Sequence, residues 1–366
     1  MFRLEFHPMP DGSLLLLGLS GPELTPDEAA LFRRLQPAGY ILFSRNIVTP
    51  RQTRKLTDDL RDLTKSDLPI IAIDQEGGRV SRTRAIAPAT PSAPALAARA
   101  DYGVIADAAV LTADMLRLLG CNLNLAPVLD LDHFPDQQNA LRGRCWGSDP
   151  QRVIDYAGHW NRWLRKRHIA SCAKHFPAGG RALSDPHHDL PSCPATLDEL
   201  HRTDVIPYTA LMPEVDAIML AHVEFPAIDP DFPASLSPRI VRRFLRDQLG
   251  FDRHLVLTDD LDMGAIASRY GRGEDAKLAI QAGNDLALIC HRTDTAEAAA
   301  RDIAGLPDSL RNEALERIDR FRRKKVHPPL AWSDAKWDSI CEGLAKLAAS
   351  FPEETDDSAS SPVADY

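Results

Sequence analysis

None of the six cysteines (Cys121, Cys145, Cys172, Cys193, Cys290 and Cys341) stands at CxxC spacing from another. Cys121, Cys172 and Cys290 sit in apolar, strand-like runs, where a free thiol behaves as a small hydrophobe. This pattern argues against a disulfide scaffold and for a reducing compartment. Long hydrophobic runs are also lacking. Met1 to His7 holds no signal-peptide core, and the stretch from Leu14 to Leu19 is too short to cross a bilayer. A cytoplasmic protein without a membrane partner is expected. A basic stripe is missing too: 43 Lys and Arg face 52 Asp and Glu, for a net charge of −9, which excludes a nucleic-acid partner. Part of that excess is local, because Glu353, Glu354, Asp356, Asp357 and Asp365 share a terminal stretch with no base. Residues 352–366 are therefore expected to form a disordered acidic tail. The chain has no P-loop, Gly-x-Ser-x-Gly elbow, zinc or EF-hand spacing, or solenoid repeat. His187, His188 and Asp189 are adjacent and cannot easily converge on one ion, so neither metal nor cofactor is expected.

What is present is an ordinary globular composition, 44% hydrophobic and 26% charged over 366 residues. Eight short apolar runs alternate with amphipathic stretches: 13–21, 39–47, 68–74, 121–130, 169–177, 217–225, 254–260 and 285–291. Rich in Ile, Leu or Val and bounded by turn residues, they read as strands covered on both faces. Helix starts are marked at Thr25-Pro26-Asp27-Glu28, at Thr196-Leu197-Asp198-Glu199 and at Ser237-Pro238. Eight strand–helix units predict an α/β fold, a single (β/α)8 barrel over residues 1–325. The runner-up, an open doubly wound sheet, lacks its Gly-x-Gly-x-x-Gly turn. Beyond Leu306 the pattern is helical, over 311–325 and 332–350, joined through Pro328-Pro329. Residues 326–351 are expected to pack outside the barrel as a helical extension.

A parallel barrel builds its active site at the C-terminal ends of its strands, and the polar residues of this chain collect there. Asp74 follows Ile71-Ala72-Ile73 directly, with Arg82 shortly after. It reads either as the start of a charged turn hinged on Gly77-Gly78 or as an acceptor for a sugar diol. Arg144, near Trp146 and Gly147, reads equally as a loop anchor or a ligand. Lys174 ends a buried strand and needs a partner, whereas His175 alone is more often a satisfied core residue. His222 and Glu224 fit structural roles as well as any other. In Thr258-Asp259-Asp260-Leu261-Asp262, helix-start chemistry explains one or two of the three acids. Asp259, emerging from Leu255-Val256-Leu257-Thr258, is placed as a nucleophile.

The most informative stretch is Lys174-His175-Phe176-Pro177 followed by Asp185-Pro186-His187. A carboxylate two residues from an imidazole can orient the ring and raise its pKa, which suits proton transfer near neutrality.

Seven segments occur in one order. They are Gly39-Tyr40-Ile41-Leu42-Phe43-Ser44-Arg45-Asn46, Asp74-Gln75-Glu76-Gly77-Gly78-Arg79-Val80, Asn124-Leu125-Ala126-Pro127-Val128-Leu129-Asp130, Lys174-His175-Phe176-Pro177, Asp185-Pro186-His187, Pro233-Ala234-Ser235-Leu236-Ser237 and Thr258-Asp259-Asp260-Leu261-Asp262-Met263. Together, over about residues 13–300, they resemble glycoside hydrolase family 3. Within it the match is to the single-domain β-N-acetylglucosaminidases of cytoplasmic peptidoglycan recycling. The resemblance implies a barrel, a retaining mechanism and a terminal β-linked N-acetylglucosamine as substrate, in a muropeptide or similar small carbohydrate. It places the nucleophile at Asp259 and a histidine acid/base, held by an aspartate, at His187 and Asp185. Its sugar-binding positions fall on Asp74, Arg82, Arg144, Lys174 and His175. No oligomeric state follows from it.

The chain departs from that subgroup in one loop. Members commonly read Gly-His-Gly-Asp-Thr after Lys-His-Phe-Pro, where this chain reads Ala178-Gly179-Gly180-Arg181-Ala182, and their Asp-Ser-His is Asp185-Pro186-His187 here. Proline fixes φ and removes a donor. These changes leave nucleophile and dyad in place and bear on loop motion, leaving-group preference and rate. Three alternatives accompany the hydrolase. One is a family 3 β-glucosidase, whose acid/base usually comes from a further C-terminal domain for which this chain is expected to be too short. Another is a glycoside phosphorylase, since a histidine does not repel an incoming phosphate. The third is a catalytically lapsed sugar-binding barrel.

Overall fold

The computed structural model describes residues 12–65, 68–137, 139–182, 186 and 189–352. Each of the eight apolar runs contains one parallel strand: β1 Leu15–Leu17, β2 Gly39–Leu42, β3 Ile70–Ile73, β4 Leu123–Asn124, β5 Ala170–Phe176, β6 Ala217–Leu220, β7 Leu255–Asp260 and β8 Leu286–Ile289. They pair in chain order, and β8 returns to β1 to close the barrel. Closure leaves no sheet edge. Except at Asp259 the strands are buried along their whole length, as their continuous apolar character requires. Each buried Leu or Ile contributes about 1.5–3 kcal/mol.

Side chains at the strand starts fix the register. Asn122, Asp216 and Asp285 stand immediately before β4, β6 and β8. Each accepts a hydrogen bond from a backbone N–H of the preceding strand, at Ile71 (2.8 Å), Ser171 (3.1 Å) and Val256 (2.9 Å). Three buried donors that would otherwise lack partners are thereby satisfied. At the other end Asn124 brackets Gln75, accepting from its N–H and donating to its carbonyl. There the chain leaves β3 in a small antiparallel hairpin, Gln75–Gly77 with Val80–Ser81. Gly77 turns it at φ +100°, and a Cβ there would lie 2.6 Å from the Pro91 carbonyl.

The helix starts follow their sequence marks. Thr25 and Thr196 close capping boxes with Glu28 and Glu199 on helices Pro26–Leu35 and Leu197–Arg202. Ser237-Pro238 instead opens a π-helical segment, Arg239–Gln248, with Ser237 Oγ accepting from the N–H of Ile240.

The two C-terminal helices pack on the barrel's outside at different places. Helix Asp308–Lys325 sends Arg317 to Asp285, Lys325 to Asp216 and Arg322 to the Ala38 carbonyl, all at the N-terminal end of the strands. Helix Asp334–Ala349 covers helix Tyr102–Leu119, where Trp337, Ile340 and Leu344 build a separate apolar cluster with Met115, Leu118 and Leu119. Residues 353–366 of the expected tail lie outside the described residues, as do Asp185 and His187. All six cysteines are free thiols, five of them buried. Among the described residues, no helix is long and apolar enough to cross a membrane.

Candidate active site

Lys174 sits near the end of β5, 1% exposed, and could not keep its charge there without partners. It has two. Its Nζ lies 2.6 Å from Asp74 beyond β3 and 2.6 Å from Glu76 in the following hairpin. Burial pulls the ammonium pKa down, but Asp74 and Glu76 outweigh it and hold it above the usual lysine value. Glu76 also receives both ends of the Arg144 guanidinium, at 2.9 and 2.8 Å. This is a bidentate pair of the strong, charge-assisted kind. Burial opposes ionisation of Glu76, yet Arg144 and Lys174 overcome it and keep the carboxyl far below its ordinary range. Arg82 completes the cluster 3.7 Å from Asp74, with its guanidinium over the Phe43 ring. Glu76 has no place among the expected site residues. The available signal was its position two residues after Asp74, beside a buried lysine that one carboxylate does not saturate.

His175 turns to the other side of the strand tip. Asp130 Oδ2 accepts from both its backbone N–H (2.9 Å) and its ring Nδ1 (2.7 Å), fixing the imidazole's orientation. The second Asp130 oxygen accepts from the N–H of Gly180 at 3.2 Å, which ties the departing loop to the same carboxylate. A Cβ at Gly180 would lie 2.1 Å from the Leu131 carbonyl, so only glycine allows this approach. In the sequence Asp130 shows only as the end of a strand-tip motif; in the fold its task is to hold His175.

β7 delivers Asp259 opposite this group. Burial raises a carboxyl pKa, but here His175, His222, the Asp260 N–H and Lys174 prevail and hold Asp259 below its ordinary value. It is thus ionised at neutral pH, as a nucleophile must be. Its neighbour Asp260 behaves in the opposite way. Burial, reinforced by Asp262 and Asp259, pushes its carboxyl up to about 8. Asp260 Oδ1 accepts from the N–H groups of Asp262 and Cys290, and Oδ2 lies 3.5 Å from His291 Nε2. His222 is braced by Ser235 Oγ at Nδ1 and by the Asp260 carbonyl at Nε2.

Two cavities meet at these side chains. An inner one of about 500 Å³ contains Asp74, Arg82, Arg144, Lys174, His175 and Asp259, so the fold brings all six described candidates to one place. An outer one of about 450 Å³ shares Arg144, His175 and Asp259 and opens past the loop after β5. Pro186 lines the outer cavity, and its carbonyl accepts from the N–H of Ala265 at 3.1 Å, just after β7. Asp185 and His187 flank Pro186 in the sequence. Among the described residues, no group of three His, Cys, Asp or Glu side chains could hold a metal ion. Fixed cations and acceptors around one ionised carboxylate can bind a polyhydroxylated ring and stabilise charge at a single carbon.

The profile of the glycosyl hydrolase family 3 N-terminal domain matches residues 15–322. The chain belongs to that family. A β-hexosaminidase of Pseudomonas aeruginosa is 35% identical over 312 residues, 85% of this chain and 91% of the relative. A β-hexosaminidase of Alkalilimnicola ehrlichii is 34% identical over 335 residues, 88% and 94% of the two chains. Among solved structures, a family 3 β-N-acetylglucosaminidase from Paenibacillus superimposes with a TM-score of 0.85 at 31% identity, covering 93% of this chain and 67% of that one. Native NagZ from Neisseria gonorrhoeae does so with a TM-score of 0.79 at 27% identity, covering 92% and 98%. As a family 3 member the chain is a glycosidase built on the (β/α)8 barrel expected from its sequence.

Proposed function

We propose that this family 3 hydrolase removes terminal, non-reducing β-linked N-acetylglucosamine with retention of configuration. The observation that carries the reading is the ionised Asp259 at the junction of the two cavities, facing the Lys174 cluster. The sugar lies in the inner cavity, with hydroxyls against Asp74, Lys174, Arg82 and Arg144 and with His175 held by Asp130. Asp259 attacks the anomeric carbon as His187, oriented by Asp185, protonates the departing oxygen. Water then resolves the glycosyl-enzyme, with His187 now acting as base. Pro186 in the outer cavity supports the dyad's place beside the leaving group. The likeness to β-hexosaminidases and to NagZ supports N-acetylglucosamine over glucose, a muropeptide as the natural substrate and a cytoplasmic setting.

The test is hydrolysis of 4-nitrophenyl β-N-acetylglucosaminide and β-glucoside, with and without phosphate, by wild type, Asp259→Ala and His187→Ala. Preference for the N-acetylglucosaminide, β-N-acetylglucosamine as first product by NMR and loss in both variants are expected. A wild type inactive on both substrates overturns the reading. Full activity in His187→Ala overturns the acid/base assignment, and a phosphate-dependent sugar phosphate overturns hydrolysis.

A further inference from the structure

Near its tip β7 carries one residue more than β8. Leu257 stands opposite Leu286 and Asp260 opposite Leu288, three steps on one strand against two on the other. Along its other edge β7 keeps register with β6 as far as Thr258 and Leu220. The extra residue therefore falls at Thr258-Asp259, and a bulge of this kind re-aims a side chain. Local bonds replace the interrupted ladder. The Leu288 N–H donates to Thr258 Oγ1 at 3.1 Å, and the Asp260 N–H donates to Asp259 Oδ1 at 2.8 Å. Among the described residues no other hydrogen bond reaches the Asp259 carboxylate, so Oδ1 is held and Oδ2 is left for attack. The Asp260 carbonyl accepts from the Met263 N–H at 3.1 Å and faces His222 Nε2 at 2.9 Å. A carbonyl only accepts, so Nε2 carries the hydrogen. His222, 1% exposed just beyond β6, has Nδ1 2.7 Å from Ser235 Oγ. Buried Ser235 is held in turn, its N–H donating to the Ala221 carbonyl and its own carbonyl accepting from Asn284 Nδ2.

We infer that His222 is a positioning residue: backed by Ser235, it pins the bulge of β7 through the Asp260 carbonyl and so aims Oδ2 of Asp259 at the anomeric carbon. Its part is aim rather than proton transfer, since both ring nitrogens are committed to the protein. The inference rests on the reading of Asp259 as the nucleophile.

The test sets His222→Met, which keeps the side chain's length and loses the donor, against His222→Gln, whose amide nitrogen stands as many bonds from Cα as Nε2. On 2,4-dinitrophenyl β-N-acetylglucosaminide, which needs no acid, kcat/KM reports the attack of the nucleophile. His222→Met should lower it about a hundredfold, the scale on which a slightly misplaced reacting group loses rate. The benzyl glycoside should lose as much, while calorimetric binding of N-acetylglucosamine hardly changes. His222→Gln should recover most of the rate. Ser235→Ala should lose about tenfold, the scale of one hydrogen bond, and it carries the test if His222→Met does not fold. Wild-type rates in His222→Met or Ser235→Ala overturn the inference. So does a His222→Gln no better than His222→Met, or a loss of sugar binding as large as the loss of rate. Crystal structures of the variants separate this inference from the activity reading. In His222→Met the Asp259 carboxylate should leave the Asp260 N–H, and in His222→Gln it should stay. An unmoved carboxylate in His222→Met overturns the inference even if N-acetylglucosaminides are cleaved, and a displaced one upholds it whatever glycoside the enzyme prefers.

Discussion

The two ends of this barrel hold similar clusters of buried charge arranged for different ends. At the N-terminal end Asp285 gives one oxygen to Arg317 (2.7 Å) and the other to Arg246 (2.8 Å) and the N–H of Val256 (2.9 Å). Arg246 spends its remaining donors on the carbonyls of Gly283, Phe251 and His254. Asp216 is likewise shared by Arg165, Lys325 and the backbone of Ser171. This network closes upon itself and seats helix Asp308–Lys325. At the C-terminal end Lys174, Arg144, Asp74 and Glu76 also pair, but around an open space of about 500 Å³. Ion pairing stabilises both ends. Only one end leaves a face of its charges turned toward a ligand.

The contrast is tested hardest at Asp259. Asp259→Ala should lower kcat by about 10³-fold or more. Its melting temperature should fall only slightly, because the carboxylate, held below its ordinary pKa, contributes a little stability at neutral pH. A large fall in stability alongside the activity would place Asp259 with the structural charges instead. Lys174→Met should do harm on both counts. It leaves Asp74 and Glu76 without their shared cation, at a cost of about 3–5 kcal/mol, and weakens sugar binding, which calorimetric unfolding and KM would report. Arg246→Met is the counterpart at the other end. Comparable destabilisation is expected there, with kcat and KM unaltered well below the transition; a changed kcat would show that the two ends are coupled.

Asp260 gives a pH test that separates it from its neighbour. Its carboxyl is raised to about 8 in the folded chain, so the fold holds a proton that the unfolded chain releases near pH 4. Stability therefore falls as pH climbs from about 4 to 8. Asp260→Asn removes that slope and keeps an acceptor for the N–H groups of Asp262 and Cys290. The variant should gain stability over wild type as pH rises, by a few kcal/mol between pH 5 and 8. Parallel melting temperatures across that range would mean that Asp260 is ionised throughout, with His291, 3.5 Å away, as its counter-charge.

The barrel was legible because its signal is repeated. Eight apolar runs alternating with capped helices leave few other architectures, and all eight runs contain their strand. The strand-tip rule then gathered Asp74, Lys174, His175 and Asp259 correctly in space. What stayed illegible was partnership. Glu76 and Asp130 sit in recognisable motifs, but their tasks depend on Arg144 and His175, brought to them by the loop after β4 and by β5 across 68 and 45 residues of chain. The split behaviour of Asp259 and Asp260 is likewise invisible in a run of acids. It arises from which way each carboxylate faces once β7 and β8 are paired.

The smallest expected effect lies in the loop where the chain departs from its subgroup. Arg181 reaches Asp204 at 2.7 Å and Thr203 Oγ1 at 3.1 Å, and His133 holds the other Asp204 oxygen at 2.7 Å. Burial opposes ionisation of Asp204, but hydrogen bonds from His133, Thr203 and Arg181 keep its pKa below the ordinary value. The clasp thus fixes the chain four residues before Asp185, and the bond from the Ala265 N–H to the Pro186 carbonyl fixes it again between Asp185 and His187. On the proposed mechanism Arg181 is a positioning residue, acting through the backbone rather than on the sugar. Arg181→Ala loses one charge-assisted anchor, worth about 1.5–3 kcal/mol at most, so kcat should fall about tenfold on alkyl glycosides, whose departure needs the acid. With a 2,4-dinitrophenyl leaving group, which departs without protonation, kcat/KM should hardly move, since it does not register the later, base-assisted step. An equal loss on both substrates would make Arg181 an ordinary structural contact, in the manner of the charges at the far end of the barrel.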